Sequence, residues 1–285
     1  MQNQENSKIM KISIVIPLYN KEHFIWRTLL SVLKQTYDDW EAIVIDDGST
    51  DNSAKIVQAV KDSRIKLYQQ ENHGVSYTRN RAIKLATGDY IAFLDADDEW
   101  IEDYLDKMVE LSLTYPNYYV FCSAQKGRPI NTLPKGISII DDHCLYDYIY
   151  FTGCMFVKKD VFDKVGGFRE GVQLGEDRDM WLRIGCFFST IYINEELVSH
   201  PYNTENNLSR TINVKDSFPY WEWYDYPYPY KRSLYRYATN QIVICVTELV
   251  KQHRYADAWT YLCKTRGVSS IRTRIRLLYK ILFRK

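Results

Sequence analysis

Within its first hundred residues the chain switches hydrophobic period again and again, and few folds accept such a pattern. Lys11 to Ile16 (KISIVI) is a short β-branched run closed by Pro17, too short and too branched for a helix, and it reads as a buried parallel strand. Phe24, Leu29, Leu30 and Leu33 then recur at roughly helical spacing. Strand character returns at Trp40 to Ile45 (WEAIVI), helical spacing at Ala54 to Val60, a strand at Ile65 to Tyr68, a helix at Gly74 to Ala86 and a strand at Tyr90 to Leu94. Strands alternating with helices imply βαβ units and a mostly parallel sheet, the α/β class. Further on, Thr152 to Val157 reads as another buried strand, Gly166-Gly167-Phe168 as a turn and Glu176 to Phe187 as a helix, while 117–150 is irregular.

In open parallel sheets, ligands bind beyond the carboxyl ends of the strands. Acidic clusters stand at those ends: Asp46-Asp47-Gly48-Ser49 follows the second strand and Asp95-Ala96-Asp97-Asp98 the fourth. Carboxylates two residues apart at a strand end suit Mg²⁺ or Mn²⁺, with substrate phosphates completing the shell. The same residues suit an acidic turn that caps the next helix. Asp47 before Gly48 and Ser49 fits either a nucleotide pocket or an ordinary turn, and Glu176-Asp177 fits either a reactive pair or the positive end of a helix dipole. Taken singly, the clusters leave these alternatives open.

Taken in order, the segments resemble the family 2 glycosyltransferases. The resemblance spans about residues 11–210 and is carried by Ile14-Val15-Ile16-Pro17-Leu18-Tyr19-Asn20, Ser31 to Thr36 (SVLKQT), Ile45 to Asp51 (IDDGSTD), Gly74 to Ala86 (GVSYTRNRAIKLA), Gly88 to Asp98 (GDYIAFLDADD), Gly166-Gly167-Phe168 and Gly175 to Arg183 (GEDRDMWLR). It implies a GT-A nucleotide-sugar-binding fold, Rossmann-like, with a helical C-terminal extension. It also implies sugar transfer, hexosyl or N-acetylhexosaminyl, from a UDP-sugar with inversion. By that resemblance Pro17, Leu18, Tyr19, Asn20, Asp47, Arg79, Asp95 and Ala96 line the nucleotide site, with Asp47 reading uracil and Arg79 or Arg81 nearby. Asp97 and Asp95 hold Mn²⁺ or Mg²⁺, with His200 as the nearby third-ligand candidate. Asp177 is the general base, and Glu176, Asp98 and Trp181 stand near the acceptor or behind the reacting groups. A nucleotidyltransferase, which would need a Gly-rich phosphate loop where Pro17-Leu18-Tyr19-Asn20 stands, and a non-catalytic glycan- or nucleotide-sugar-binding protein are the rival readings.

The expected organisation is a flexible terminus over 1–10, a catalytic domain over 11–215 and an aromatic, basic helical extension over 216–285. Eight of the thirteen residues from Phe218 to Tyr230 are aromatic, fit either to stack on acceptor sugars or to pack the extension. Helical patterns follow at Leu234 to Val250, Tyr255 to Leu262 and Ile271 to Leu282. Net charge is +1, yet 251–285 carry ten Lys or Arg against Asp257 alone, so that segment is +9 and the remainder +1 − 9 = −8. An apolar stripe of Ile271, Ile275, Leu278 and Leu282 opposite Arg272, Arg276, Lys280 and Arg284 suits an anionic membrane surface, met by residues 264–285, or docking on the catalytic domain. No nucleic-acid motif accompanies these charges. Six dispersed cysteines lack CxxC spacing and read as free thiols. Met1 to Lys11 is polar and no apolar run spans a bilayer. The chain is therefore expected in the cytoplasm, peripheral at the inner face of the cell membrane, with a saccharide or lipid-linked acceptor.

Overall fold

In the computed structural model the described residues are 10–127, 133–141, 150–172, 175–200, 239, 242–243, 245–247, 249–264 and 271–283. The elements in chain order are β1 (Ile12–Leu18), α1 (Ile25–Leu33), β2 (Trp40–Asp47), α2 (Ser53–Ala59), β3 (Ile65–Gln70), α3 (Val75–Leu85), β4 (Tyr90–Phe93), β5 (Glu99–Trp100), α4 (Tyr104–Thr114), β6 (Val120–Gln125), β7 (Ile137–Ile140), β8 (Met155–Lys158), α5 (Val161–Val165), α6 (Glu176–Gly185), β9 (Thr190–Ser199), α7 (Tyr255–Lys264) and α8 (Ile271–Phe283). They build one sheet in the order β3-β2-β1-β4-β8-β6-β9-β5, with β7 on β9. The pairings β3-β2, β2-β1 and β1-β4 are parallel, as the alternating sequence requires. Beyond β4 the sheet is mixed: β8 runs antiparallel to β4 and β6, whereas β6 and β9 are parallel.

Strand β2 is buried throughout and β1 almost so, which explains their nearly continuous apolar runs. The chain winds from β1 through β2 to β3 on one side and then returns to place β4 on the other. That reversal opens a crevice beyond the carboxyl ends of β1 and β4, where Tyr19 to Lys21 and Asp95 to Asp98 lie. Gly88 makes the return tight enough, since a Cβ there would lie 2.6 Å from the Ser13 nitrogen and 2.7 Å from the Lys11 oxygen. Residues 152–154 form a 3₁₀ turn rather than the start of a strand, because the Cys154 amide donates to the Phe151 carbonyl and the Gly153 carbonyl accepts from the Trp100 indole.

Two apolar cores result among the described residues. The main one lies along the sheet. A second gathers Val172, Leu182, Ile242, Val246, Leu249, Val250, Ala258, Tyr261, Leu262, Leu277 and Ile281, so the C-terminal helices pack on the outer side of α6. In α8 it is Leu277 and Ile281 that are buried, while Ile275 and Leu282 of the expected docking stripe are 61% and 65% exposed. The second core takes Leu277 and Ile281, with half-buried Leu278 of the expected stripe packed against it. The described residues between 239 and 251 include helical ones, whereas the aromatic segment 218–230 and the 215/216 boundary lie outside the described residues. No helix among the described residues is long and apolar enough to cross a membrane. Among the described cysteines, Cys122 and Cys154 are buried and Cys186, Cys245 and Cys263 half-buried.

Candidate active site

The loops after β1 and β2 are stitched together first. Asn20 takes the left-handed conformation (φ 50°), which Asn tolerates better than most residues. Its amide donates to Ser49 Oγ at 3.0 Å, and its side-chain oxygen accepts from the Thr50 amide at 2.8 Å. Asp47 is buried and accepts from the His73 and Gly74 amides, each at 2.9 Å, and from Gln70 Nε2 at 2.6 Å. It therefore shapes the loop entering α3. Leu18 is buried, Pro17 half-buried, and Tyr19 exposed at the mouth. Arg81 donates to Gln70 Oε1 at 2.8 Å, on the same side chain whose Nε2 donates to Asp47.

The run Asp95 to Asp98 is fastened from below. Thr28 Oγ1 donates to the carbonyl of buried Ala96, Ser31 Oγ accepts from the Trp100 amide, and Gln35 bridges the Ile101 carbonyl and the Leu105 amide. The SVLKQT segment thus serves the fold by fixing where the acidic run ends. Asp95 pairs with Arg79 at 2.7 Å, Asp97 with Lys21 at 2.6 Å and Asp98 with His200 Nδ1 at 2.6 Å. Ligand atoms of Asp97, Asp98 and His200 lie within 4.8 Å of one another. Asp95 pairs with Arg79, and Asp98 and His200 stand with Asp97. Burial pushes the Asp98 carboxyl up and its histidine bond pulls it down; the same bond raises the His200 imidazole above its ordinary value. Gly153 lies under this group, since a Cβ there would fall 2.7 Å from Asp98 Oδ2.

Arg79, 4% exposed, ties the run to α6: besides Asp95 it holds Glu176 at 2.9 Å, with its guanidinium 5.2 Å from the centre of the Phe168 ring. Burial works to lower the Arg79 pKa, yet Asp95 and Glu176 outweigh it and raise it above the ordinary value. Burial and the neighbouring Asp177 charge raise Glu176, against Arg79. Asp177 sits in the first turn of α6 after Gly175, its Oδ1 accepting from the Arg178 amide at 2.7 Å. Asn80 exchanges two bonds with Phe168, and Arg183 donates to the Val165 and Gly167 carbonyls while paired with fully buried Asp179. The Gly166-Gly167-Phe168 turn is thereby locked between α3 and α6. Trp181 is 1% exposed, packed against Phe93 and Phe168, so it supports the floor of the site from inside the core.

Sequence reasoning did not single out Lys21, Asn80, Thr28 or Glu41. Each acts through a partner at least 28 residues away in sequence, which no local pattern announces.

An α/β sheet with paired carboxylates at its switch point and a further acidic pair at a facing helix N-terminus has the architecture of the GT-A glycosyltransferases. A family model, Glycosyl transferase family 2, matches residues 13–170, more than half the chain, and the chain belongs to that family. Its relatives include the Escherichia coli UDP-Glc:alpha-D-GlcNAc-diphosphoundecaprenol beta-1,3-glucosyltransferase WfgD, 45% identical over 116 residues. That match covers 38% of this chain but only 46% of the relative, so the chain matches about half of that protein's length. A putative teichuronic acid biosynthesis glycosyltransferase, TuaG of Bacillus subtilis (strain 168), is 32% identical over 207 residues, covering 70% of this chain and 81% of that protein. Among solved structures, S. aureus TarS 1-349 in complex with UDP superposes with a TM-score of 0.60 at 21% identity, covering 91% of this chain and 73% of that one. The mannosyltransferase PcManGT from Pyrobaculum calidifontis, in complex with GDP-Man and Mn²⁺, gives 0.59 at 16% identity, covering 96% and 80%. At these identities the structural likeness concerns the GT-A fold.

Proposed function

We propose that the chain is a metal-dependent inverting glycosyltransferase. It moves a hexosyl or N-acetylhexosaminyl group from a UDP-sugar to a saccharide or lipid-linked saccharide during assembly of a bacterial surface polysaccharide or lipopolysaccharide. The observation that carries this reading is the ion-paired bridge Asp95–Arg79–Glu176, which holds Asp177 beside the acidic run at the crevice. The name of the E. coli relative supports a UDP-sugar donor and a lipid-diphosphate acceptor, and the TarS complex supports UDP.

The donor set of Asp97, Asp98 and His200 fits Mn²⁺ or Mg²⁺: two carboxylates and an imidazole stand near enough for small side-chain rotations to bring them onto one ion. Bound there, the ion supplies neutralisation of charge on the leaving diphosphate. The chain's own residues do the rest. Asp47 and the loop from Tyr19 seat the base, Arg79 holds Asp95 toward the ribose side, and Asp177 takes the proton of the acceptor hydroxyl. The hydroxyl oxygen bonds to the anomeric carbon from the face opposite the diphosphate, the old C–O pair leaves with UDP, and the configuration inverts. Glu176 keeps Asp177 in place through Arg79.

The outer face of α8 extends this reading to where the chain works. Ile275, Tyr279, Leu282 and Phe283 are exposed there with Arg272 and Arg276 beside them, a basic apolar surface suited to the anionic cytoplasmic leaflet where a lipid-linked acceptor resides.

The decisive experiment is a thermal-shift panel of UDP, GDP, CMP and dTDP sugars with and without Mn²⁺, followed by transfer assays with the best donor. A ligand that binds only the folded state raises its stability by RT ln(1 + [L]/Kd). A Mn²⁺-dependent shift confined to the UDP series is expected. No shift from any nucleotide with folded protein returns the chain to the non-catalytic class.

A further inference from the structure

Three carboxylates within four residues form a dense negative site, and each has its own partner: Arg79 on Asp95, Lys21 on Asp97 and His200 on Asp98. The three partners are not held alike. Arg79 is buried, doubly paired and set over Phe168. His200 follows the end of β9 and belongs to the donor group itself. Lys21 is anchored only at its root, where its amide donates to Ser53 Oγ at 2.8 Å; from there a flexible four-carbon stem carries the ammonium to Asp97. Both side chains are nearly closed off, at 16% and 10% exposure, and the ammonium stands 5.9 Å from the Phe24 ring.

We infer that Lys21 is the exchangeable counter-ion of Asp97: it neutralises that carboxylate until a divalent cation takes its place, and then turns onto the diphosphate of the nucleotide. A divalent cation gains little at a carboxylate already matched by an ammonium 2.6 Å away, so that ammonium has to move aside. An ammonium leaving a largely buried carboxylate in turn needs another anion, and the nucleotide brings one. Lysine suits the exchange because its charge is compact and rotatable, whereas the fork of an arginine would grip the carboxylate through two bonds. Metal and nucleotide then favour one another through one side chain, and the coupling is reciprocal. The first half of the inference needs only the Lys21–Asp97 contact; the second rests on the nucleotide reading above.

The test is a Mn²⁺ titration, read by calorimetry, of the full chain and of Lys21→Met and Lys21→Arg without nucleotide, followed by UDP and UMP titrations at saturating Mn²⁺. Lys21→Met is expected to bind Mn²⁺ alone about tenfold tighter than the parent, and Lys21→Arg more weakly. At saturating Mn²⁺, Lys21→Met is expected to lose about tenfold in UDP affinity while UMP, which lacks the second phosphate, changes little. Equal Mn²⁺ affinity in all three proteins overturns the exchange. Equal losses for UDP and UMP, or none for either, overturn the diphosphate contact. A parent chain that binds Mn²⁺ but no nucleotide overturns the donor reading instead, and the first titration still decides the exchange at Asp97.

Discussion

Asp177 and Arg79 do different work, and substitution separates them. Asp177→Asn keeps the shape of the first turn of α6 and removes the basic lone pair. UDP-sugar binding is expected to persist while kcat falls by roughly 10² to 10⁴, the contribution of a positioned base; near-normal turnover would take the role from Asp177. Arg79→Met leaves Glu176 and Asp95 without the cation that bridges them. Breaking a buried pair by removing one partner costs about 3–5 kcal/mol, so urea unfolding should show a clear loss of stability, and a second change, Glu176→Gln, should return part of it. Additive losses in the double variant would show that the two residues are not coupled. The acidic residues themselves were legible in the sequence because they crowd at strand ends. Of their partners, Arg79 and His200 were named through the family resemblance, whereas Lys21 was not, because its link to Asp97 spans 76 positions.

At the scale of elements, the parallel part of the sheet could be read because β1, β2 and β4 are buried on both faces and so advertise themselves as apolar runs. Of the mixed part only β8 could, within Thr152 to Val157. Strand β9 (TIYINEELVS) mixes apolar and acidic residues and curves past β6 with shifts in register, and β5 is two residues long. Inside β2 the sequence also hid Glu41, a nearly buried carboxylate that accepts from Ser13 Oγ, from the Thr87 amide and hydroxyl, and from Lys66 at 2.7 Å. It joins β1, β3 and the tight return at Gly88. Burial would raise its pKa, but the Lys66, Thr87 and Ser13 bonds outweigh burial and bring it down to about 2. The folded carboxyl is thus the stronger acid. Its contribution is complete above the ordinary value of 4.5 and is lost as pH falls from there toward about 2. Stability measured by urea unfolding should therefore decline across that acid window, and Glu41→Gln, lower by about 3 kcal/mol at neutral pH, should decline less. Parallel curves for the two proteins would remove Glu41 as the cause.

At the scale of the whole molecule, the charge asymmetry of the sequence was legible and the face of α8 was not. In IRTRIRLLYKILF only the second core, built from residues spread between Val172 and Ile281, decides which apolar residues are buried. Because Leu277 and Ile281 enter that core against Leu182 of α6, cutting the chain after Gly267 removes part of the support for the helix that carries Asp177. Such a truncation is expected to lose stability and activity together, which makes it a poor probe of the membrane. A cleaner probe changes only the outer stripe. Ile275→Glu with Leu282→Glu leaves Leu277, Ile281 and every charge of the catalytic crevice in place. Insertion of exposed apolar side chains and attraction of Arg272 and Arg276 to anionic headgroups act together, and each basic residue near such a surface contributes about 1 kcal/mol. The parent chain is expected to co-sediment with vesicles rich in phosphatidylglycerol and to release at high salt. The double variant should stay in the supernatant with its Tm and its transfer to a soluble acceptor unchanged. Equal sedimentation of the two proteins would assign α8 to packing alone and leave the +9 segment without a membrane role.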